Sequence, residues 1–101
     1  AIEKVAINAA VSTIRDLGSH GIGRSLHEDP HFIQNFYDKS DTRTLSEGQV
    51  ITIEPFLSTS ADSTVTAEDG WALLTGHGTR SAQYEHTMVI TRGKPLVLTA
   101  L

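Results

Sequence analysis

The first part of the chain has apolar residues at helical spacing. They recur every three or four positions, at Ile2, Val5, Ala6, Ala9, Ala10, Ile14 and Leu17. This spacing places them on one face of a helix, and the glycine that follows, Gly18, is a residue that commonly ends helices. The pattern therefore predicts one amphipathic helix over residues 2–17.

After Gly18 the pattern changes to short apolar or alternating runs between turn residues, which is typical of strands. The predicted strands cover residues 50–56, 70–74, 82–91 and 95–98. Residues 46–49 predict a turn before the first strand, and residues 92–94 a hairpin turn between the last two. The polar segments 38–44 and 58–69 have loop composition. One helix followed by several strands indicates an α+β fold, with the N-terminal helix packed on a mostly antiparallel sheet.

Composition narrows the class of protein. A chain of 101 residues fits a single domain over residues 1–101. With 39% hydrophobic and 20% charged residues, neither disorder nor a membrane class is favoured, and no apolar run reaches the roughly 20 residues of a membrane span. The net charge of −4, with eight scattered Lys and Arg, argues against nucleic acid as a partner. We expect a cytoplasmic protein.

The chain contains no cysteine, which limits the kinds of site it can build. Neither a disulfide framework nor a thiolate zinc site is possible. Any metal must therefore bind to oxygen and imidazole donors.

Glu54 follows the apolar run of the first predicted strand and lies near the end of that strand. Period two places Val50, Thr52 and Glu54 on one face of that strand. Pro55 has no N–H for a sheet ladder, so the strand should bend directly after Glu54 and leave its side chain near a rim. Such a carboxylate either faces water or, if buried, requires a cation or hydrogen-bond donors.

A second carboxylate, Glu85, lies in the predicted strand of residues 82–91. Gln83, Glu85, Thr87 and Val89 share one face there, and His86 points to the other. An inward carboxylate in a central strand needs a partner, whereas one on a solvated face needs none. His86 is equally consistent with a hydrogen-bonded sheet histidine.

Histidines near glycines form the third feature. Gly21 and Gly23 follow His20 closely, and His27 lies seven residues after His20. On an extended segment these two histidines would point to opposite faces, so they can reach one site only if the chain bends, and the glycines permit that bend. His31 and His77 are interpreted as surface residues. One imidazole and two strand carboxylates would form a ligand set suited to manganese, iron, cobalt or zinc.

Three separate blocks of the sequence resemble the methionine aminopeptidase family, in the order and at intervals similar to those of the family. They are His-Gly-Ile-Gly-Arg at 20–24 with His-Glu-Asp-Pro at 27–30, Thr-Ile-Glu-Pro at 52–55, and Ser-Ala-Gln-Tyr-Glu-His-Thr at 81–87. Gly70-Trp71 and Val97-Leu98-Thr99 are also similar to that family. The resemblance implies the C-terminal half of a pita-bread fold, in which a dimetal site lies between two similar halves.

The resemblance also implies roles for residues of this chain. His20, Glu54 and Glu85 would ligate metal, with Glu85 bridging two divalent ions. His27 would contact the scissile peptide, and Glu54 would help to shuttle a proton. The pocket for the methionine side chain would be lined or bordered by Trp71, Leu26 and Phe56. Ser19 stands where the family usually has glycine, and Leu26 where phenylalanine is common.

The resemblance predicts a metal-dependent aminopeptidase that removes N-terminal methionine from peptides and nascent proteins. The two aspartate ligands of the family belong to its first half, so this chain would supply only part of the dimetal site. We expect it to associate, as a homodimer or with a complementing N-terminal half, because a half-fold exposes apolar surface and a sheet edge. The alternative is a non-catalytic half-fold that binds peptides or proteins.

Overall fold

The computed structural model describes all 101 residues and contains one short helix, α1, at Ile2–Asn8. The helix predicted over residues 2–17 is therefore correct at its start and wrong in its second half. Ala10 adopts a left-handed conformation with φ 55°, and the amides of Ala10 and Val11 donate to the carbonyls of Ile7 and Ala6. This pair of bonds is a Schellman motif, which ends the helix before Gly18 is reached.

Residues 11–14 then form extended backbone instead of further helical turns. Val11, Thr13 and Ile14 are β-branched and favour strands. Strand β1, Ser12–Thr13, pairs antiparallel with a later strand, β5, at Phe56–Ser58, and α1 lies against β1. The expectation of an N-terminal helix on a mostly antiparallel sheet is confirmed, although the helix is short.

Ten strands form two sheets and one isolated hairpin. After β1 they are β2 Ser19–Gly21, β3 Glu28–Ile33, β4 Val50–Ile53, β5 Phe56–Ser58, β6 Val65–Thr66, β7 Leu73–Leu74, β8 Ser81–Gln83, β9 His86–Val89 and β10 Leu96–Val97. The larger sheet has the order β10-β9-β4-β2-β3, the smaller has the order β1-β5-β8, and β6 pairs with β7. Every pairing is antiparallel.

Two predicted strands are each divided between the two sheets. The run 50–56 contains β4 and the start of β5, and the run 82–91 contains β8 and β9. Pro55 lies in the first break, as its missing N–H predicts. The second break, at Tyr84-Glu85, was not predicted. Glu85 therefore lies between two strands, and its expected place in the middle of a central strand is wrong.

The remaining strand predictions vary in accuracy. The hairpin turn at residues 92–94 is confirmed, since β9 and β10 pair with Leu96 opposite Val89. The strand at 70–74 shortens to Leu73–Leu74. Strand β3 was not predicted, and β6 lies within a segment predicted as loop.

The interior of the molecule contains few apolar side chains. Ala6, Ile14 and Ile51 are the buried hydrophobic residues. More numerous are the buried polar residues, which are Thr13, Ser19, His20, Asn35, Thr52, Glu54 and Ser58. Four of these, in β2, in β4 and just after β4, surround the candidate site. With seven residues, α1 is too short to span a bilayer.

Candidate metal centre

His20 and Glu54 meet where the middle strand of the larger sheet ends. His20 lies in β2, and Glu54 follows the last residue of β4, the neighbouring strand. The His20 Nε2 atom lies 3.0 Å from Glu54 Oε1, and the two side chains are only 8% and 11% exposed. The structure thus joins two of the three predicted metal donors, although 34 positions of sequence separate them.

The orientation of the His20 ring is set by the backbone. Its Nδ1 atom lies 2.7 Å from the carbonyl oxygen of Gly21, and because a carbonyl can only accept, Nδ1 must carry a proton. In neutral imidazole the lone pair of Nε2 then faces the Glu54 carboxylate. Two acceptors at this distance require a proton or a cation to stabilise them.

A divalent metal ion suits this pair of atoms. Nitrogen and oxygen ligands each lie about 2.0–2.2 Å from such an ion, which places neighbouring ligands roughly 3 Å apart. The observed separation of 3.0 Å is consistent with that value. A backbone carbonyl on the far ring nitrogen is also the usual partner of a metal-binding histidine.

A buried threonine holds the carboxylate in place. Thr52 is fully buried, and its hydroxyl donates to Glu54 Oε1 at 2.8 Å. The alternation of residues 50–54 predicts that Thr52 and Glu54 share a face. The sequence therefore contained a signal for this contact, but sequence reasoning did not assign Thr52 a role.

Glu85 lies directly opposite Glu54. Ile53 pairs with His86, and Phe56 pairs with Gln83, so one continuous register runs across both strand breaks and places Glu85 opposite Glu54. The Gln83 Nε2 atom lies 3.2 Å from Glu85 Oε2 and 3.4 Å from Glu54 Oε2, and so bridges the two carboxylates.

The structure does not gather a complete ligand set. Glu85 is exposed, and no group of three or more His, Cys, Asp or Glu side chains is placed to hold a metal ion. His20 and Glu54 are in direct contact, and Glu85 reaches them through Gln83. Sequence reasoning did not identify this role of Gln83 either.

The His27 ring lies close to the His20 ring because the chain bends between β2 and β3. The two ring centroids are 4.1 Å apart, and His27 is exposed. Gly21 allows the chain to return this closely, since a Cβ atom there would clash with the backbone carbonyl oxygen of Asp29. The Glu28 carboxylate in turn accepts the Ser25 N–H at 2.8 Å. The bend that both histidines need is therefore present.

The three predicted pocket residues are dispersed. Phe56 lines a cavity of about 270 Å³ together with Ile14, Leu17, Leu73 and Gln83 among others. Trp71 and Leu26 do not line this cavity, and they are 87% and 67% exposed.

Trp71 lies in the turn between β6 and β7, where its amide donates to Asp69 Oδ1. Donation from the amides of Trp71 and Ala72 lowers the pKa of Asp69 below its ordinary value. The charged form of Asp69 therefore stabilises the turn that carries Trp71.

The other histidines lie outside this centre. His86 contacts the Thr99 hydroxyl through Nδ1 at 2.8 Å, which agrees with a hydrogen-bonded sheet histidine. His31 and His77 are exposed, as predicted.

Comparison with known proteins identifies relatives of the whole chain. The profile of Metallopeptidase family M24 matches residues 1–92. Methionine aminopeptidase 2 of Bacillus subtilis is 46% identical over 101 residues, which cover 100% of this chain and 41% of the relative. Methionine aminopeptidase of Aquifex aeolicus is 41% identical over 103 residues, which cover 100% of this chain and 40% of the relative.

Solved structures show the same relation. The crystal structure of methionine aminopeptidase from Thermotoga maritima matches with a TM-score of 0.89 and 37% identity, over 99% of this chain and 40% of that chain. The structure of the Rickettsia prowazekii methionine aminopeptidase matches with a TM-score of 0.87 and 33% identity, over 97% and 40%. The resemblance inferred from the motifs, and the match to part of the pita-bread fold, are confirmed. The chain spans about 40% of the length of these relatives.

Proposed function

The chain belongs to metallopeptidase family M24, and from that premise we propose that it supplies part of the dimetal site of an enzyme that removes N-terminal methionine. The contact between His20 Nε2 and Glu54 Oε1 carries this proposal, because a shared cation would stabilise two buried acceptors at this distance. We further propose that residues 1–101 form one domain, the second half of a pita-bread catalytic domain.

His20 and Glu54 would hold one divalent ion, and Glu85 would be a further ligand, so that this chain would supply three of the donors of the dimetal site. The register that places Glu85 opposite Glu54 supports this role, and so does the Gln83 amide that contacts both carboxylates. Bound cobalt, manganese, iron or zinc ions would act as Lewis acids toward the scissile carbonyl.

Other side chains would handle the substrate, a peptide or nascent protein with an N-terminal methionine. His27 is exposed beside His20 and would contact the scissile peptide. Glu54 would help to shuttle a proton through its carboxylate. Phe56, Trp71 and Leu26 would border the space for the methionine side chain, and Trp71 and Leu26 would need a second surface to enclose that space.

The proposal makes the isolated chain a poor enzyme. Two aspartate ligands of the family have no counterpart among the donors here, so divalent metal should bind weakly and the chain should hydrolyse little or no methionyl peptide. Hydrolysis of a methionyl peptide with added manganese or cobalt tests this expectation. Robust turnover by the chain alone would contradict it.

Metal binding gives a second and more direct test. Substituting His20→Ala or Glu54→Gln should abolish the weak Co²⁺ binding of the chain, measured by calorimetry. His31→Ala is the matched control, because His31 is an exposed histidine on β3 outside the centre, and it should bind Co²⁺ as the unsubstituted chain does. Equal binding by all these variants would exclude His20 and Glu54 as ligands.

A peptide- or protein-binding half-fold is the second candidate function. The exposed side chains of Trp71, Leu26 and Tyr84, which are 87%, 67% and 71% exposed, favour it, since exposed aromatic and aliphatic groups commonly anchor a partner. Binding of a methionyl peptide that is equally tight with and without metal would support this candidate over the enzyme.

The proposed partner is a second copy of the chain or a complementing N-terminal half. Either would cover exposed apolar surface, and a complementing N-terminal half would also supply the two aspartate ligands. The proposed location is the cytoplasm, where nascent proteins are the substrates.

A further inference from the structure

Two buried hydroxyl groups cross between β2 and β4 at the centre. The amide of His20 in β2 donates to the Thr52 hydroxyl in β4 at 3.1 Å. The amide of Glu54, just after β4, donates to the Ser19 hydroxyl in β2 at 3.0 Å. The two residues that receive these bonds, Ser19 and Thr52, are both 0% exposed.

The arrangement is reciprocal and concerns the proposed metal ligands themselves. Gly21 lies opposite Ile51, and this register places His20 opposite Thr52. Each strand therefore provides one proposed ligand and one hydroxyl group. Each hydroxyl oxygen accepts a hydrogen bond from the backbone amide of the ligand on the other strand.

Each hydroxyl also donates its single hydrogen. That of Thr52 goes to Glu54 Oε1 at 2.8 Å, since the alternative acceptor, the His20 carbonyl, is 3.4 Å away. That of Ser19 goes to Asn35 Oδ1 at 3.0 Å, and Asn35 is itself buried. Each hydroxyl therefore donates one hydrogen bond and accepts another, which fixes its orientation.

We infer that Ser19 and Thr52 are positioning residues that hold the His20 imidazole and the Glu54 carboxylate in the geometry for binding a metal ion. The Thr52 hydroxyl holds the Glu54 carboxylate and the His20 backbone amide. The Ser19 hydroxyl holds the Glu54 backbone amide. The inference rests on the proposed function. It goes beyond that function because it assigns a task to Ser19 and Thr52, to which the proposed function gives none.

Removing the hydroxyls one at a time tests the inference. Thr52→Val removes the hydroxyl at nearly constant volume, and Ser19→Ala does the same in β2. Thr52→Ser keeps the hydroxyl and serves as the conservative variant. Ser58→Ala is the matched control, because the buried Ser58 hydroxyl also accepts a backbone amide, that of Ala61 at 3.2 Å, but lies in the other sheet.

The first measurement is amide hydrogen exchange of the metal-free chain. Thr52→Val should accelerate exchange of the His20 amide, and Ser19→Ala that of the Glu54 amide, each by about tenfold, since each change removes one buried hydrogen bond. This crossed pattern distinguishes local effects from general loosening. Uniform acceleration at all amides of β2 and β4 would contradict the crossed arrangement.

The second measurement is Co²⁺ affinity together with the ¹⁵N chemical shift of His20 Nε2 in the metal-free chain. Thr52→Val and Ser19→Ala should weaken Co²⁺ binding by about tenfold or more. Thr52→Val should also change the Nε2 shift, because the carboxylate facing that atom moves. Thr52→Ser should restore both properties, and Ser58→Ala should leave both unchanged.

The outcomes separate this inference from the proposed function. If the hydroxyl variants alter amide exchange but leave Co²⁺ affinity and the Nε2 shift unchanged, the hydroxyls are structural only and the inference is wrong. If the unsubstituted chain binds no Co²⁺, the proposed function fails. The Nε2 shift then decides alone whether Thr52 positions the carboxylate against His20.

Discussion

At the scale of single residues, Ala10 occupies a position that favours glycine. Its φ of 55° lies in the left-handed region, where a Cβ atom costs roughly 1–2 kcal/mol. Because alanine is the best helix former, the sequence gives no sign of a helix end there, and the apolar spacing continues through Ile14 and Leu17. The end of α1 therefore depends on two backbone hydrogen bonds that residue preferences alone do not reveal.

Replacing Ala10 with glycine should stabilise the fold. Glycine adopts the left-handed conformation without the Cβ penalty, so Ala10→Gly should raise the free energy of unfolding by about 1 kcal/mol, measured by urea denaturation. Ala9→Gly is the matched control, because Ala9 has φ −89° and gains nothing from glycine. An equal loss of stability in both variants would show that residue 10 does not adopt a left-handed conformation.

The residues of the candidate site differ in how far the sequence predicted them. Alternation over residues 50–54, ended by Pro55, correctly indicated that Glu54 lies at a strand end on the same side as Thr52. The meeting of His20 with Glu54 required the resemblance, because periodicity says nothing about which strands become neighbours. Ser19 was noted only as a departure from the usual glycine, since a hydroxyl partner 35 residues away leaves no local pattern.

At the scale of elements, the main departure from prediction is the pair of breaks that face each other, one between β4 and β5 and the other between β8 and β9. Residues 83, 85, 87 and 89 continue a regular alternation, so nothing marks the end of β8 at Gln83. The break follows from pairing: the segment that contains β8 and β9 must pass from the smaller sheet to the larger one where its partner segment bends at Pro55, because the two segments keep one register. Sequence reasoning found the proline break and missed its consequence for the partner strand.

A second feature at this scale is the loop after β3, which an ion pair between Arg43 and Asp41 stabilises. Arg43 donates to the Asp41 carboxylate through Nε and Nη2, at 2.9 and 2.7 Å, and to the Phe32 carbonyl at 2.9 Å. These side-chain hydrogen bonds, with a backbone bond from Arg43, lower the pKa of Asp41 to about 2.

The lowered pKa predicts how this loop responds to pH. A folded-state pKa below the ordinary value of about 3.9 means that the contact contributes fully above that value and is lost as pH falls through about 2. An NMR titration of the Asp41 carboxyl group should show its midpoint near 2, and Arg43→Met should move the midpoint toward the ordinary value. Arg92→Met, which removes the ion-pair partner of Glu47 in another loop, should leave the titration midpoint of Asp41 unchanged.

At the scale of the whole molecule, the chain exposes more surface than a folded monomer of the same mass usually does. Its accessible surface is 7416 Å², whereas a folded monomer of 10.9 kDa exposes about 5,600 Å². Its radius of gyration is 14.5 Å, compared with about 13 Å for a domain of this length. The excess area is of the size that one partner contributes to a large, stable interface.

Part of this surface belongs to the hairpin of β6 and β7. Val65, Leu73 and Leu74 are 63%, 50% and 50% exposed, and Trp71 in the turn is 87% exposed. A two-stranded hairpin is marginally stable by itself, and exposed apolar residues on it favour association. These facts support the expectation that the chain pairs with a second copy or with a complementing half.

Sedimentation velocity over a range of concentrations tests this expectation. The chain should form dimers or larger species, and Trp71→Asp should weaken that association by about tenfold or more, because a buried tryptophan is a typical interface anchor. Leu96→Asp is the control, since Leu96 is also apolar and 58% exposed but lies on β10, outside the hairpin. A single monomeric species at every concentration would show that the chain tolerates its exposed surface without a second copy. Addition of a complementing N-terminal half would then be the remaining way to cover it, and failure of that half to bind would exclude association altogether.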